Sequence, residues 1–122
     1  MVANDKAPPW EAADRTAQLL KGVLDMCLLA VIARQPSYGY EMIRKLSSHG
    51  LTLASEGTIY PVLSRLQRNR LVEGYLVESP EGPARKYYRI TKDGKKALAA
   101  WTEDWGTLVS GVNKVLEGET SG

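Results

Sequence analysis

Within the stretch EGTIYPVLSRLQRNR, residues 56–70, Arg65, Arg68 and Arg70 fall inside six positions of a chain whose formal net charge is only +2. A guanidinium presents a planar fork of N–H donors that fits a phosphate or the edge of a guanine. Thr58, Tyr60 and Ser64 add hydroxyls to the same stretch. On a helix, at about 100° per residue, Ile59, Val62, Leu63 and Leu66 gather on one side. Gly57, Tyr60, Pro61, Ser64, Arg65 and Arg68 gather on the other, and no acid interrupts them. An outer face of donors and acceptors without a carboxylate suits a polyanion.

Other reactive side chains do not assemble into a catalytic set. His49 stands beside Gly50 with no cysteine or carboxylate at ligand spacing, so it reads as a helix-end residue and no metal is expected. Cys27 is the single cysteine and lies in the apolar run MCLLAVIA, where it reads as a small buried hydrophobe. No glycine-rich phosphate loop, paired carboxylate motif or activated nucleophile is present, so an enzyme reading and a resident cofactor have no residues to rest on.

The totals agree with a binding protein. A chain of 122 residues holds one core. Residues 44–96 contain eleven lysines and arginines against five acids, while both flanks are mildly acidic. Phenylalanine is missing, so six tyrosines and three tryptophans supply every aromatic ring, each with a polar handle. The run 26–33 is too short to cross a bilayer and the N-terminus lacks a signal-peptide layout, which together with the lone cysteine predicts a cytoplasmic protein.

The elements that must position these groups can be read in order. Residues 1–9 read as a flexible segment ended by paired prolines. From Trp10 a helical stripe runs through Ala13, Ala17, Leu20, Leu24, Cys27 and Val31, with Gly22 as a candidate bend. SYGYEMIRKLSSHG predicts a second helix capped by Ser37 and stopped by Gly50. LTL predicts at most one edge strand. Ser55 offers a cap for the arginine-bearing helix, and Pro61 is tolerated if regular helix begins near Thr58, because the proline then sits in the first turn. LVEGYLVE, the turn SPEGP and ARKYYRI predict a hairpin with Arg85 and Lys86 near its tip, and with one of Tyr87 and Tyr88 packed beneath it.

Thr91 caps a last helix over residues 92 to about 117, roughly 39 Å long at 1.5 Å per residue. Leu98, Trp101, Trp105, Leu108, Val112 and Val115 hold three-four spacing along it. Such a seam outruns a small domain and predicts a second copy as its partner, a homodimer. Gly106 and Gly111 weaken its last third.

Three helices, a two-stranded wing and a long terminal helix make a mainly α, winged helix-turn-helix chain. The expected divisions are a DNA-binding domain over 10–91, a dimerisation helix over 92–118 and a tail over 119–122. The segments LLKGVLDMCLLAVIARQPSYGYEMIRKL, EGTIYPVLSRLQRNRLVEGY and RKYYRITKDGKKAL resemble the signature segments of the PadR family of bacterial transcriptional regulators, across residues 19 to about 108. The short C-terminal part resembles its compact subgroup. The resemblance implies a homodimeric repressor on a pseudo-palindromic operator in double-stranded DNA. It also implies, for some members, release by a small flat aromatic effector.

Docking geometry then assigns roles. Thr58, Tyr60, Ser64 and Arg65 face the major groove, while Arg68 and Arg70 meet phosphates. Tyr38 and Tyr40 donate hydroxyls to the backbone at the start of the second helix. Arg85 and Lys86 reach the flanking backbone or the minor groove. Trp105 matches the tryptophan that, in the resembling multidrug-sensing members, pairs with its dimer mate around a flat ligand. Trp101 lies one turn earlier, and Trp10 covers the same interface. Packing alone also accounts for the tryptophans, so a repressor without a pocket stays open. So does a winged helix used as a protein-interaction module.

Overall fold

The structure, a computed structural model, describes residues 12–52 and 54–118. Trp10, the segment 1–9 and the tail 119–122 lie outside the described residues, so the expectations placed on them do too. Four helices and a three-stranded antiparallel sheet follow in the order α1 (Ala12–Arg34), β1 (Ser37–Tyr38), α2 (Gly39–Ser48), α3 (Glu56–Arg68), β2 (Val72–Ser79), β3 (Gly82–Ile90) and α4 (Lys92–Leu116).

The core forms because α1 repeats leucine and isoleucine every four residues. Leu20, Leu24, Leu28 and Ile32, with Leu29, are buried against Met42 and Leu46 of α2 and Ile59, Leu63 and Leu66 of α3. Burying each such side chain contributes about 2 kcal/mol. The ion pair between Arg89 and Glu73, more than half exposed on both sides, contributes well under about 1 kcal/mol. Packing holds this fold. Cys27 and Val31 lie beside the buried ridge and are only half-buried, and α1 is continuous through Gly22. The apolar stretch of α1 extends over Arg15–Arg34, long enough by length and composition to span a bilayer, and not merely over 26–33. Its apolar ridge is nevertheless the core described above.

Two turn expectations change. Ser37 does not cap α2. It enters β1, pairing with Tyr88, and its hydroxyl donates to the Gln35 carbonyl (2.9 Å) while accepting from Lys45 Nζ (2.8 Å). Tyr38 takes the cap position, its backbone N–H donating to Glu41 Oε1 at 3.2 Å. Serine prefers caps, but here the extended backbone is claimed by the sheet. The third strand is therefore β1, and Leu51 and Thr52 form no strand. Gly50 does stop α2: at φ +86 it lets its own N–H reach the Ser47 carbonyl and that of Leu51 reach the Leu46 carbonyl.

Pro61 is the sixth residue of α3, not a first-turn residue. The helix starts earlier because Ser55 N–H donates to Thr58 Oγ1 (2.8 Å) and Ile59 N–H to the Ser55 carbonyl (2.9 Å). The proline withholds a partner only from the Gly57 carbonyl, and Gly57 is exposed to solvent.

The hairpin of β2 and β3 turns at Pro80 and Glu81, with Ser79 opposite Gly82 and an irregularity between Val77 and Ser79. Tyr88 points into the core and Tyr87 is half-buried on the other face. Thr91 caps α4, accepting from Gly94 N–H at 2.9 Å, and the helix runs unbroken through Gly106 and Gly111. Leu98 and Trp101 pack against the core, while Trp105, Leu108, Val112 and Val115 are exposed.

Candidate nucleic-acid interface

Helix α3 buries Ile59, Leu63 and Leu66 and leaves Thr58, Tyr60, Pro61, Ser64, Arg65 and Arg68 exposed on its outer side. The same periodicity that seats the helix on α1 thus aims its polar residues away from the core. Thr58 is at this face, but its hydroxyl is committed to the helix start, donating to the Ser55 carbonyl and accepting from Ser55 N–H, both at 2.8 Å. It fixes the first turn and leaves Tyr60, Ser64 and Arg65 as the unengaged donors. The Tyr60 ring lies directly over Gly39, where any Cβ would collide with it. A glycine at the first residue of α2 is what lets the two helices place their N-terminal ends side by side.

Tyr38 and Tyr40 occupy that junction. Tyr40 is exposed with the Arg44 guanidinium over its ring at 5.2 Å. Tyr38 is half-buried between Tyr87, at a centroid distance of 5.3 Å, and the Arg85 guanidinium, at 4.7 Å. The aromatic row continues to Tyr75, stacked on Tyr87 at 6.0 Å and covered by Arg89 at 4.7 Å. Arg44 and Arg85 are held in place on their rings with no acid partner among the described residues, which is how a phosphate contact is preorganised, while Arg89 donates to Glu73.

Arg85 and Lys86 do not sit together at the wing tip. They pair with Val77 and Leu76, well inside the hairpin, and alternation sends them to opposite faces. Arg85 joins the tyrosine row. Lys86 turns toward α3, passes over Gly74 and donates to Gln67 Oε1 at 3.2 Å. Arg70 lies past the end of α3 in a left-handed turn (φ +62), where its carbonyl accepts from Thr91 Oγ1. Two residues were missed in the sequence. Arg44 was legible, since it follows Tyr40 by four on the same helix face. Gln67 was not, because its link to Lys86 spans nineteen positions.

The electrostatics are one-sided. Among the described residues, Arg89 with Glu73 is the only ion pair within 4.0 Å. Arg44, Arg65, Arg68, Arg70 and Arg85 are exposed and have no acid partner among the described residues. Burial pushes the Tyr88 hydroxyl above its ordinary range, with Tyr60 adding to it, so Tyr88 stays neutral beneath this face.

Between the first and last helices, Gly22, Val23, Asp25 and Met26 of α1 face Trp101, Asp104, Trp105 and Leu108 of α4 across a cleft of about 280 Å³. Trp105 is 44 % exposed there. The cleft brings Trp101 and Trp105 together with two carboxylates that sequence reading had not connected to them.

The sequence and fold are similar to those of known proteins. Residues 28–100 match the model of the transcriptional regulator PadR-like family. The chain is 37% identical over 86 residues to the transcriptional regulator Rv3488 of Mycobacterium tuberculosis, covering 68% of this chain and 73% of that one. A crystal structure of a PadR-like transcriptional regulator from Bacillus cereus is 48% identical, with a TM-score of 0.74 over 84% of this chain and 99% of that one. One from Eggerthella lenta is 32% identical, with a TM-score of 0.79 over 88% and 93%.

Proposed function

Because this chain belongs to the PadR-like family of transcriptional regulators, we propose that it is a cytoplasmic, homodimeric repressor that lays α3 into the major groove of a pseudo-palindromic operator. The observation that bears most weight is the outer face of α3, where Arg65 and Arg68 stand exposed without an acid partner among the described residues. Tyr60, Ser64 and Arg65 read base edges, since they occupy the first two and a half turns of the helix. Arg68, Arg70 and Arg44 meet phosphates. Arg85, braced on Tyr38, reaches the flanking backbone from the wing. Lys86 acts through Gln67 to hold the wing against α3, and Tyr40 reaches a phosphate beside Arg44.

The second copy docks along α4. Trp105, Leu108, Val112 and Val115 are exposed in one chain, and a partner presenting the same stripe removes them from water. The cleft of about 280 Å³ beside Trp105 supports an effector role. Indole rings offer stacking surfaces to a flat aromatic molecule, and Asp25 and Asp104 favour one that is cationic.

Selection of binding sites from random duplex DNA, followed by fluorescence anisotropy at several salt concentrations, tests the first part. The proposal requires an enriched inverted repeat, two protomers per site and affinity falling steeply with salt. Absence of DNA retention at low salt would refute it. Tryptophan fluorescence during titration with flat aromatic cations, repeated with Trp105→Ala, tests the effector: saturable quenching must disappear in the variant.

A further inference from the structure

Glu41 and Lys45 stand four residues apart on α2, in the order in which a carboxylate and an ammonium pair best along a helix. They do not pair with each other: among the described residues the single ion pair is Arg89 with Glu73. Each reaches back to β1 instead. Glu41 Oε1 accepts from the Tyr38 N–H at 3.2 Å, and Lys45 Nζ donates to the Ser37 hydroxyl at 2.8 Å. Ser37 is fully buried, and its hydroxyl sends its own hydrogen to the Gln35 carbonyl at 2.9 Å. A charge-assisted bond is stronger than a neutral one, and here it holds the serine oxygen from the second side. β1 needs such support. It is only two residues long, with Ser37 opposite Tyr88 and Tyr38 opposite Tyr87, which is short for a strand that must stay in place. Tyr38 in turn carries the Arg85 guanidinium over its ring at 4.7 Å.

We infer that Lys45 is a positioning residue for DNA binding: through Ser37 it holds β1 against the wing and so sets where Tyr38 presents Arg85. The inference rests on the DNA-binding reading above. Lys45 lies in the last turn of α2, about 9 Å along the helix from Gly39, where α2 and α3 bring their N-terminal ends together. Its ammonium is directed at a buried oxygen and not at the outer face. Its effect on DNA therefore passes through the strand, without a phosphate contact of its own. Glu41 secures the same strand from one turn earlier, so loss of Lys45 loosens β1 without releasing it.

Lys45→Met keeps the aliphatic stem and removes the donor. Lys45 is only half-buried, so the variant keeps the fold, and circular dichroism checks this. NMR of the full chain without DNA reads the wing directly: the Arg85 side-chain protons, shifted by the Tyr38 ring in the wild type, should move toward ordinary positions in Lys45→Met. Anisotropy on the selected operator should show affinity lowered about fivefold with an unchanged salt slope, whereas Arg85→Ala lowers that slope by about one. On a Ser37→Ala background, which removes the acceptor, Lys45→Met should cause no further loss. Arg85 signals that stay in place, or full additivity with Ser37→Ala, would overturn the inference. A salt slope lowered by about one in Lys45→Met would overturn it too, by making Lys45 a phosphate contact. A wild-type chain that retains no DNA would remove the DNA-binding reading itself and this role with it, an outcome recognised before any variant is made.

Discussion

Thr91 Oγ1 donates to the Arg70 carbonyl at 2.7 Å while accepting from Gly94 N–H at 2.9 Å. One hydroxyl therefore caps α4 and clamps it to the turn that ends α3. Thr91 N–H adds a bond to the Leu71 carbonyl at 3.1 Å, and Gly94 packs so closely on that carbonyl that a Cβ would collide with it. Thr91→Ala should cost about 1 kcal/mol or more, the price of a lost cap, and Thr91→Ser should restore most of it. Gly94→Ala should cost about 2 kcal/mol although alanine favours helices, because the obstacle is backbone. Urea denaturation measures both; a stabilising Gly94→Ala would contradict the geometry.

Gly39→Ala should act on DNA binding through Tyr60. The added methyl displaces a flexible, exposed ring and not the core, so thermal stability changes little. Operator affinity falls by about tenfold as Tyr60 and the helix start tilt away. A variant with full affinity would separate Tyr60 from the interface.

Arg65 and Arg85 should fail in different ways. Arg65→Ala costs about 1–3 kcal/mol on the cognate site and relaxes the preference at one base position. Arg85→Ala weakens all duplexes alike and lowers the salt slope by about one. Anisotropy on matched and mutated sites across a salt series distinguishes them.

Replacing Val112 with Asp should dissociate the protein into folded monomers. Val112 is 45 % exposed in the isolated chain, so the substitution leaves the core intact. In the proposed dimer it places a charge against the second copy's apolar stripe. Analytical ultracentrifugation reads the mass, and operator binding should weaken with it.

The Cys27 thiol is pushed above its ordinary value of 9.0, first by burial and then by the charge of Asp25. At pH 8 it holds its proton more firmly than a free thiol, so alkylation by iodoacetamide should be slower than for a cysteine peptide and accelerate in urea. The sign for stability follows. The folded state keeps a proton that the unfolded chain releases, so this contribution is present below pH 9 and falls as pH rises past it. Equal alkylation rates in the folded and unfolded protein would rule this out.

Much of the fold was written locally. The four-residue repeat of Leu20, Leu24, Leu28 and Ile32, the caps at Ser55 and Thr91, the stop at Gly50 and the hairpin all depend on neighbours a few positions apart. The polar face of α3 was legible for the same reason: burying Ile59, Leu63 and Leu66 leaves Tyr60, Ser64, Arg65 and Arg68 no other side. The opposed faces of Arg85 and Lys86 also follow from strand alternation, once the turn is placed at Pro80 and Glu81.

What the sequence alone could not decide was set by competition between distant groups. Ser37 has the chemistry of a cap, yet pairing with Tyr88 claims its backbone and Lys45 its hydroxyl. Nothing local says that Tyr60 needs a glycine at position 39, that Gln67 holds Lys86, or that Asp25 and Asp104 flank one pair of tryptophans. Periodicity records which side of an element is buried, because that is a property of the element itself. Which residues meet across the core depends on how the elements cross, and only the packed chain determines that.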